Sequence, residues 1–165
     1  MNKNKNSDIK IQKITFETYI HETEDPEKVK TVFQALLPPT QGKEETLNII
    51  EKKIMGHWKN TILSLKVEVS GKKCSEVFQR ILKELPQNQK EIIISKLDAQ
   101  FDEPKMMLYI RLNKQSLISG RMQLLEGSDV IRIAIKFLAF GKKSERTELI
   151  KNYLQNCFLG EKANG

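Results

Sequence analysis

The sequence predicts an α+β fold: a mainly antiparallel sheet with helices packed on one face, in the order β-α-β-β-α-α-β-β-β-α. Three observations lead there. Some segments alternate apolar and polar residues with the period of two that a half-buried strand requires, as in Ile14-Thr15-Phe16-Glu17-Thr18. Others repeat apolar residues every three to four positions, the stripe of an amphipathic helix, as in Cys74, Val77, Phe78, Ile81 and Leu82. The strand candidates also follow one another without intervening helices, which favours hairpins over parallel crossovers.

The first strand spans 14–20, with Ile14, Phe16, Thr18 and Ile20 on one face. Asp25-Pro26 then opens a helix, because aspartate caps the free N–H groups and proline lacks the N–H that would be unpaired at the first position. Val29, Val32, Phe33, Leu36 and Leu37 form its stripe, and Pro38-Pro39 ends it. A polar loop at 40–46 leads to a strand over 47–55. The turn Gly56-His57-Trp58-Lys59-Asn60 leads to a strand over 62–69. After Ser70-Gly71 comes the helix that ends before Pro86, followed by a shorter helix over 88–97. Two strands, 106–112 and 120–125, are expected to form a hairpin through 113–119. The last strand, 130–140, sets Ile131, Ile133, Ile135 and Phe137 against Arg132, Ala134 and Lys136 on its other face. Ser144 is expected to cap the final helix, whose stripe includes Leu149, Ile150, Tyr153, Leu154 and Cys157.

The chain of 165 residues is one domain's length, read as a single domain over 10–158 between a loose N-terminus (1–9) and a loose C-terminus (159–165). It has no run of about 18 apolar residues, the length of a membrane span. The N-terminal lysines and asparagines lack the apolar stretch of a secretory signal, and two cysteines are too few for a disulfide framework. The expected compartment is the cytoplasm.

Lys and Arg number 28 against 21 Asp and Glu, a formal net charge of +7. Residues 14–27 are locally acidic, and the positive surplus elsewhere is spread along the chain. That distribution suits a basic face more than a basic arm. No glycine-rich phosphate loop and no G-x-S-x-G elbow occurs, and His21, His57, Cys74 and Cys157 lack metal-ligand spacing. The sequence thus predicts no enzyme, no cofactor and no metal. The acidic run Glu22-Thr23-Glu24-Asp25 has the carboxylates for a cation, but it also precedes a helix, where acids face the positive end of the dipole.

What remains is a positive set with aromatic and amide companions. Tyr109 and Arg111 share one side of a strand, and Asn113, Lys114 and Gln115 follow, with Arg121 just downstream. His57, Trp58, Lys59 and Asn60 form a second group, in which the indole is open to two readings, a stacking surface or a core plug. Cations for phosphates, aromatic faces for bases and amides for base edges or sugar hydroxyls are what irregular or single-stranded RNA requires.

Three segments together resemble an archaeal family of small RNA-binding proteins described as predicted exosome subunits. They are His21-Glu22-Thr23-Glu24-Asp25-Pro26-Glu27-Lys28-Val29, Gly56-His57-Trp58-Lys59-Asn60, and Leu108-Tyr109-Ile110-Arg111-Leu112-Asn113-Lys114-Gln115 with Gly120 following. The resemblance covers about 20 to 137, and it differs at Trp58-Lys59, where the family usually carries Tyr-Gly. It implies a fold like that of the ribosomal protein that binds 5S RNA, also described as double-stranded-RNA-binding-domain-like.

The expected function is non-catalytic RNA binding, to single-stranded or structured RNA, in RNA processing, RNA degradation or ribosome metabolism. The partners would be RNA and subunits of an RNA-processing complex, with no membrane. The expected contacts are Arg111, Lys114, Gln115 and Arg121, then His57, Lys59 and Asn60. One alternative is a protein-interaction subunit that touches RNA incidentally. Another is a metal-dependent nuclease using Glu22, Glu24 and Asp25.

Overall fold

A computed structural model describes residues 9–37, 49–139 and 145–163, with side chains to 158. The expected loose N-terminus to residue 8, the loop at 40–46 and the cap at Ser144 lie outside the described residues. The fold is α+β, with a six-stranded antiparallel sheet and six helices in the described chain.

The elements are β1 (Ile9–Ile20), α1 (Pro26–Ala35), β2 (Ile50–Met55), β3 (Thr61–Ser70), α2 (Lys73–Glu84) and α3 (Gln87–Ser95). Then come α4 (Leu97–Gln100), β4 (Phe101–Asp102), β5 (Met107–Asn113), α5 (Lys114–Ile118), β6 (Val130–Ala139) and α6 (Arg146–Ala163). Spatial order in the sheet is β2-β3-β1-β6-β5-β4. The first and last long strands, β1 and β6, therefore lie side by side at its centre.

One face of the sheet is the core. Ile14 and Phe16 of β1, Leu65 and Val67 of β3, Leu108 and Ile110 of β5, and Ile133 and Ile135 of β6 are all buried there. Each is two residues from the next on its strand, the alternation that the sequence shows. Phe33 of α1 meets Phe16 edge-on at 6.4 Å between ring centroids. Tyr153 of α6 packs edge-on against Phe137 at 6.0 Å and stacks on Phe78 of α2 at 6.4 Å, so α2 and α6 share one aromatic joint over β6. Burial there pushes the Tyr153 phenol up.

Helix α1 begins as expected: the Asp25 carboxylate accepts from Glu27 N–H at 3.0 Å, and Pro26 takes the first position. Strand β1 starts at Ile9, before the expected 14, and α6 continues to Ala163. The short α4 and β4 were not anticipated.

The largest correction lies between β5 and β6. Residues 113–119 do not form a hairpin turn, and 120–125 is not a regular strand. Instead 114–118 is α5. The Asn113 side chain caps it by accepting from Ser116 N–H at 3.2 Å. At its end Gly120 has φ +83°, with Gly120 N–H donating to Leu117 O and Arg121 N–H to Ser116 O at 3.0 and 2.8 Å. That pair of bonds is a Schellman motif, which needs a left-handed residue and hence glycine. The chain then returns beside β5 through one antiparallel bridge, Leu112 to Leu124.

Two substitutions test this local reading. Gly120→Ala meets nothing within 4 Å, so its cost should be the left-handed backbone alone, about 1–2 kcal/mol. Asp25→Ala should lose about 1 kcal/mol with the cap. Urea denaturation at constant m-value measures both, and unchanged midpoints would refute the capping assignments.

Candidate nucleic-acid interface

The strand polarities bring four pieces to one end of the sheet: the end of β1 with its acidic turn, the β2–β3 hairpin tip, the β5–α5 junction, and the start of β6. These pieces contain all three segments that carry the family resemblance.

Lys114 joins them. Its side chain is 1% exposed. The ammonium donates to Tyr19 O at 2.7 Å and to the Glu24 carboxylate at 3.0 Å, and it forms an ion pair with the Asp129 carboxylate at 3.0 Å. A carbonyl and two carboxylates thus surround the ammonium. Lys114 was expected to meet phosphate. The structure corrects this, because its charge is enclosed and paired within the protein. Gln115, beside it on α5, is exposed, and its amide donates to Glu24 and Asp129 at 3.4 and 3.3 Å.

The acidic turn is engaged throughout. Glu22 accepts from Thr61 N–H at 2.7 Å, tying the turn to the β2–β3 hairpin beside its tip. Glu24 accepts from His21 N–H at 2.9 Å as well as from Lys114. With Asp25 on the α1 N-terminus, the carboxylates of Glu22, Glu24 and Asp25 all serve the fold. Among the described residues no group of three His, Cys, Asp or Glu side chains is placed to hold a metal ion.

At the hairpin tip, Gly56 N–H donates to Asn60 O at 2.7 Å and Lys59 N–H to Gly56 O at 3.1 Å. A Cβ at Gly56 would lie 2.3 Å from Asn60 Oδ1, so a larger residue at that corner would require the Asn60 side chain to move. Lys59 has φ +60°, the conformation that the glycine usual in the family would adopt without strain. The tight turn is therefore kept although its glycine is replaced. Trp58 is 85% exposed and is not a core plug; His57 meets it edge-on at 5.1 Å.

Arg111 projects from β5 on the face opposite the core, directly across from Arg132 of β6, and both are exposed. Glu17 of β1 lies on the other side of Arg132, and Lys66 of β3 beyond it. The carboxylate that senses Arg111 is Glu126, already bonded to Lys96, whose ammonium holds its carboxyl below the usual range. Arg121 is exposed beyond the end of β5, at the C-terminus of α5. It does not return beside Arg111, because residues 114–118 are helical. The expected trio of Arg111, Lys114 and Arg121 is thus not one surface: Lys114 is enclosed and Arg121 is displaced along the strand direction. His57, Lys59 and Asn60 lie across the sheet from Arg111, separated by the three strand spacings from β3 to β5, about 14 Å, and also by about 20 Å along the strands, because Arg111 is level with Lys66. Arg132 and Lys136, outward on β6, were legible in the alternation of 130–140 and belong to the same face as Arg111.

These placements predict separate effects on stability. Lys114→Met should destabilise by about 3 kcal/mol or more, because it leaves two carboxylates facing each other without their cation. Arg111→Ala should stay within about 0.5 kcal/mol. Equal effects in chemical denaturation would contradict the assignment of Lys114 to the fold. Lys59→Gly should stabilise by about 1 kcal/mol by relieving the left-handed conformation; a loss of stability would show that the lysine side chain packs usefully at the tip.

Comparisons with known proteins bear on what this end of the sheet does. A family model described as RNA binding matches residues 13–137. An RNA-binding protein of Pyrococcus abyssi is 32% identical over 134 residues, covering 80% of this chain and 85% of that protein. An uncharacterised protein of Methanocaldococcus jannaschii is 26% identical over 147 residues, 88% of this chain and 97% of its own length. A crystal structure of a DUF54 protein from Archaeoglobus fulgidus superposes with a TM-score of 0.73 at 27% identity, covering 87% of this chain and 99% of that one. With most of its sheet inside the matched span, the chain belongs to the RNA-binding family.

Proposed function

We propose that this chain binds RNA without catalysis, through the open face of its sheet and the adjoining rim formed by the hairpin tip and the end of α5. The observation that supports this most is Arg111 standing directly opposite Arg132 on a strand pair. Like charges so placed destabilise a sheet, and apolar or opposite-charge pairs would serve the fold better. Two facing guanidinium groups suit adjacent phosphates. Membership of the RNA-binding family and the name of the Pyrococcus relative support the same ligand.

In this reading Arg111 and Arg132 neutralise phosphates, with Arg121 and Lys59 extending the contact at the rim. Gln115, Asn60 and His57 supply hydrogen bonds to sugar hydroxyls or base edges. Lys114 is a positioning residue that holds α5 and the start of β6 in place. The cellular setting that fits is RNA processing, RNA degradation or ribosome metabolism in the cytoplasm, in company with subunits of an exosome-type complex. One observation favours a second reading, a protein-docking subunit: Ile50, Ile54, Met55 and Trp58 are all exposed on the β2–β3 hairpin.

Salt dependence separates the two. Three to five phosphate contacts on a single strand give a slope of log K against log salt of about −2 to −3.5. Arg111→Ala and Arg132→Ala should each reduce it by about 0.7 without unfolding the protein. A flat salt response, or no RNA binding at ~50 mM salt where such contacts are strongest, would put protein docking first.

A further inference from the structure

Strand register arranges the open face in rows. One row is Arg111, Arg132, Glu17 and Lys66, read across β5, β6, β1 and β3. The next is Tyr109, Ala134, Thr15 and Glu68, and the third is Met107, Lys136, Lys13 and Ser70. The middle row is short at its centre. Ala134 and Thr15 leave a hollow of about 360 Å³, lined also by Tyr109, Arg111, Arg132 and Glu17. The cationic rows lie one repeat away on either side, about 7 Å along the strands.

Tyr109 stands at the edge of this hollow, 40% exposed. Its hydroxyl reaches back to Met107 Sδ at 3.7 Å, so the ring leans along the strand. The same tyrosine and Arg111 also line a groove of about 530 Å³ beyond β5, with Gln89, Gln100 and Lys96 on its far wall. Tyr109 is therefore the ridge between two concave surfaces. A sheet selected for stability alone would place a β-branched or aromatic residue across from Tyr109. Alanine stands there instead, and the space it leaves is bordered by an aromatic side chain and by arginines.

We infer that this hollow seats an unpaired base of single-stranded RNA, stacked on Tyr109, with the flanking phosphates on Arg111 and Arg132 to one side and Lys136 to the other, Lys13 there being ion-paired with Glu68 at 3.7 Å. The inference rests on the RNA-binding reading above and narrows it. A base can present its flat face to a tyrosine only when it is free of its duplex neighbours. A duplex offers a convex ridge of phosphates and 2′-hydroxyls, which does not enter a recess of this size.

The test is fluorescence anisotropy of the full chain at ~50 mM salt with a short labelled oligouridylate and an RNA duplex of equal length. The single strand should bind more tightly. Tyr109→Ala should weaken it by about 5- to 150-fold, the loss expected for one stacked base, with the salt slope unchanged. Tyr109→Phe keeps the ring and should stay within about twofold. Ala134→Leu, which fills the hollow from the solvent side and leaves the core untouched, should also weaken the single strand. If Tyr109→Ala and Ala134→Leu both leave single-strand affinity intact while Arg111→Ala lowers it, the hollow is not a base site and the RNA reading survives. Preference for the duplex overturns the inference in the same way. If neither RNA binds, the inference and the reading beneath it fall together.

Discussion

The ammonium of Lys114 is the contact on which the candidate interface depends. An unpaired lysine in so enclosed a position would carry a large desolvation cost, and it is tolerated only because two carboxylates and a carbonyl surround it. Those acceptors come from the end of β1, the acidic turn and the residue preceding β6, so the charge fixes their mutual placement. Thr18, whose hydroxyl donates to Val130 O at 3.0 Å from a buried position, makes a second link between β1 and β6 at the same end. With that end held, α5 turns the chain away from β5, and β6 can occupy the centre of the sheet beside β1.

A consequence is that the positive residues of this region divide into two kinds. Lys114 is consumed by the fold. Arg111, Arg132 and Arg121 remain exposed, and no ion pair holds any of them among the described residues. Packing α1, α2 and α6 on one face leaves the other available, and the two central strands present Arg132, Ala134 and Lys136 beside Lys13, Thr15 and Glu17. A ligand rich in phosphate and flat rings is the complement of such a surface. Lysines on α2 and α1 add positive charge to the helical side as well, so net charge alone does not say which face meets RNA.

Much of the fold was legible because its signals are local. Asp25-Pro26 announces α1, the stripe from Cys74 to Leu82 announces α2, and the strict alternation of 130–137 gives both β6 and its outward Arg132. The region 113–125 was misread although its signals were present: Asn113 as a cap and Gly120 as the left-handed terminator bracket a short helix. A five-residue helix has too little apolar periodicity to outweigh the hairpin suggested by two flanking strand-like segments. The role of Lys114 was hidden for a different reason. Its partners Tyr19 and Glu24 are 95 and 90 residues away in sequence, and lysine is almost always solvated. Only the tertiary register reveals that the T-E-D-P and R-L-N-K-Q segments are two halves of one ion-pair cluster. The exposure of Trp58 was equally inaccessible, since an indole suits a core or a surface.

The central claim is that RNA lies on the open sheet face and its rim, opposite the helices. Ultraviolet crosslinking of the intact chain to a short RNA, with mass-spectrometric mapping of the linked residues, tests it most directly. The account predicts crosslinks in β5 at Tyr109, in β6 around Arg132 to Lys136, and at the hairpin tip near Trp58. Crosslinks concentrated on the outward lysines and arginines of α2 and α6, with β5 and β6 unmarked, would contradict it.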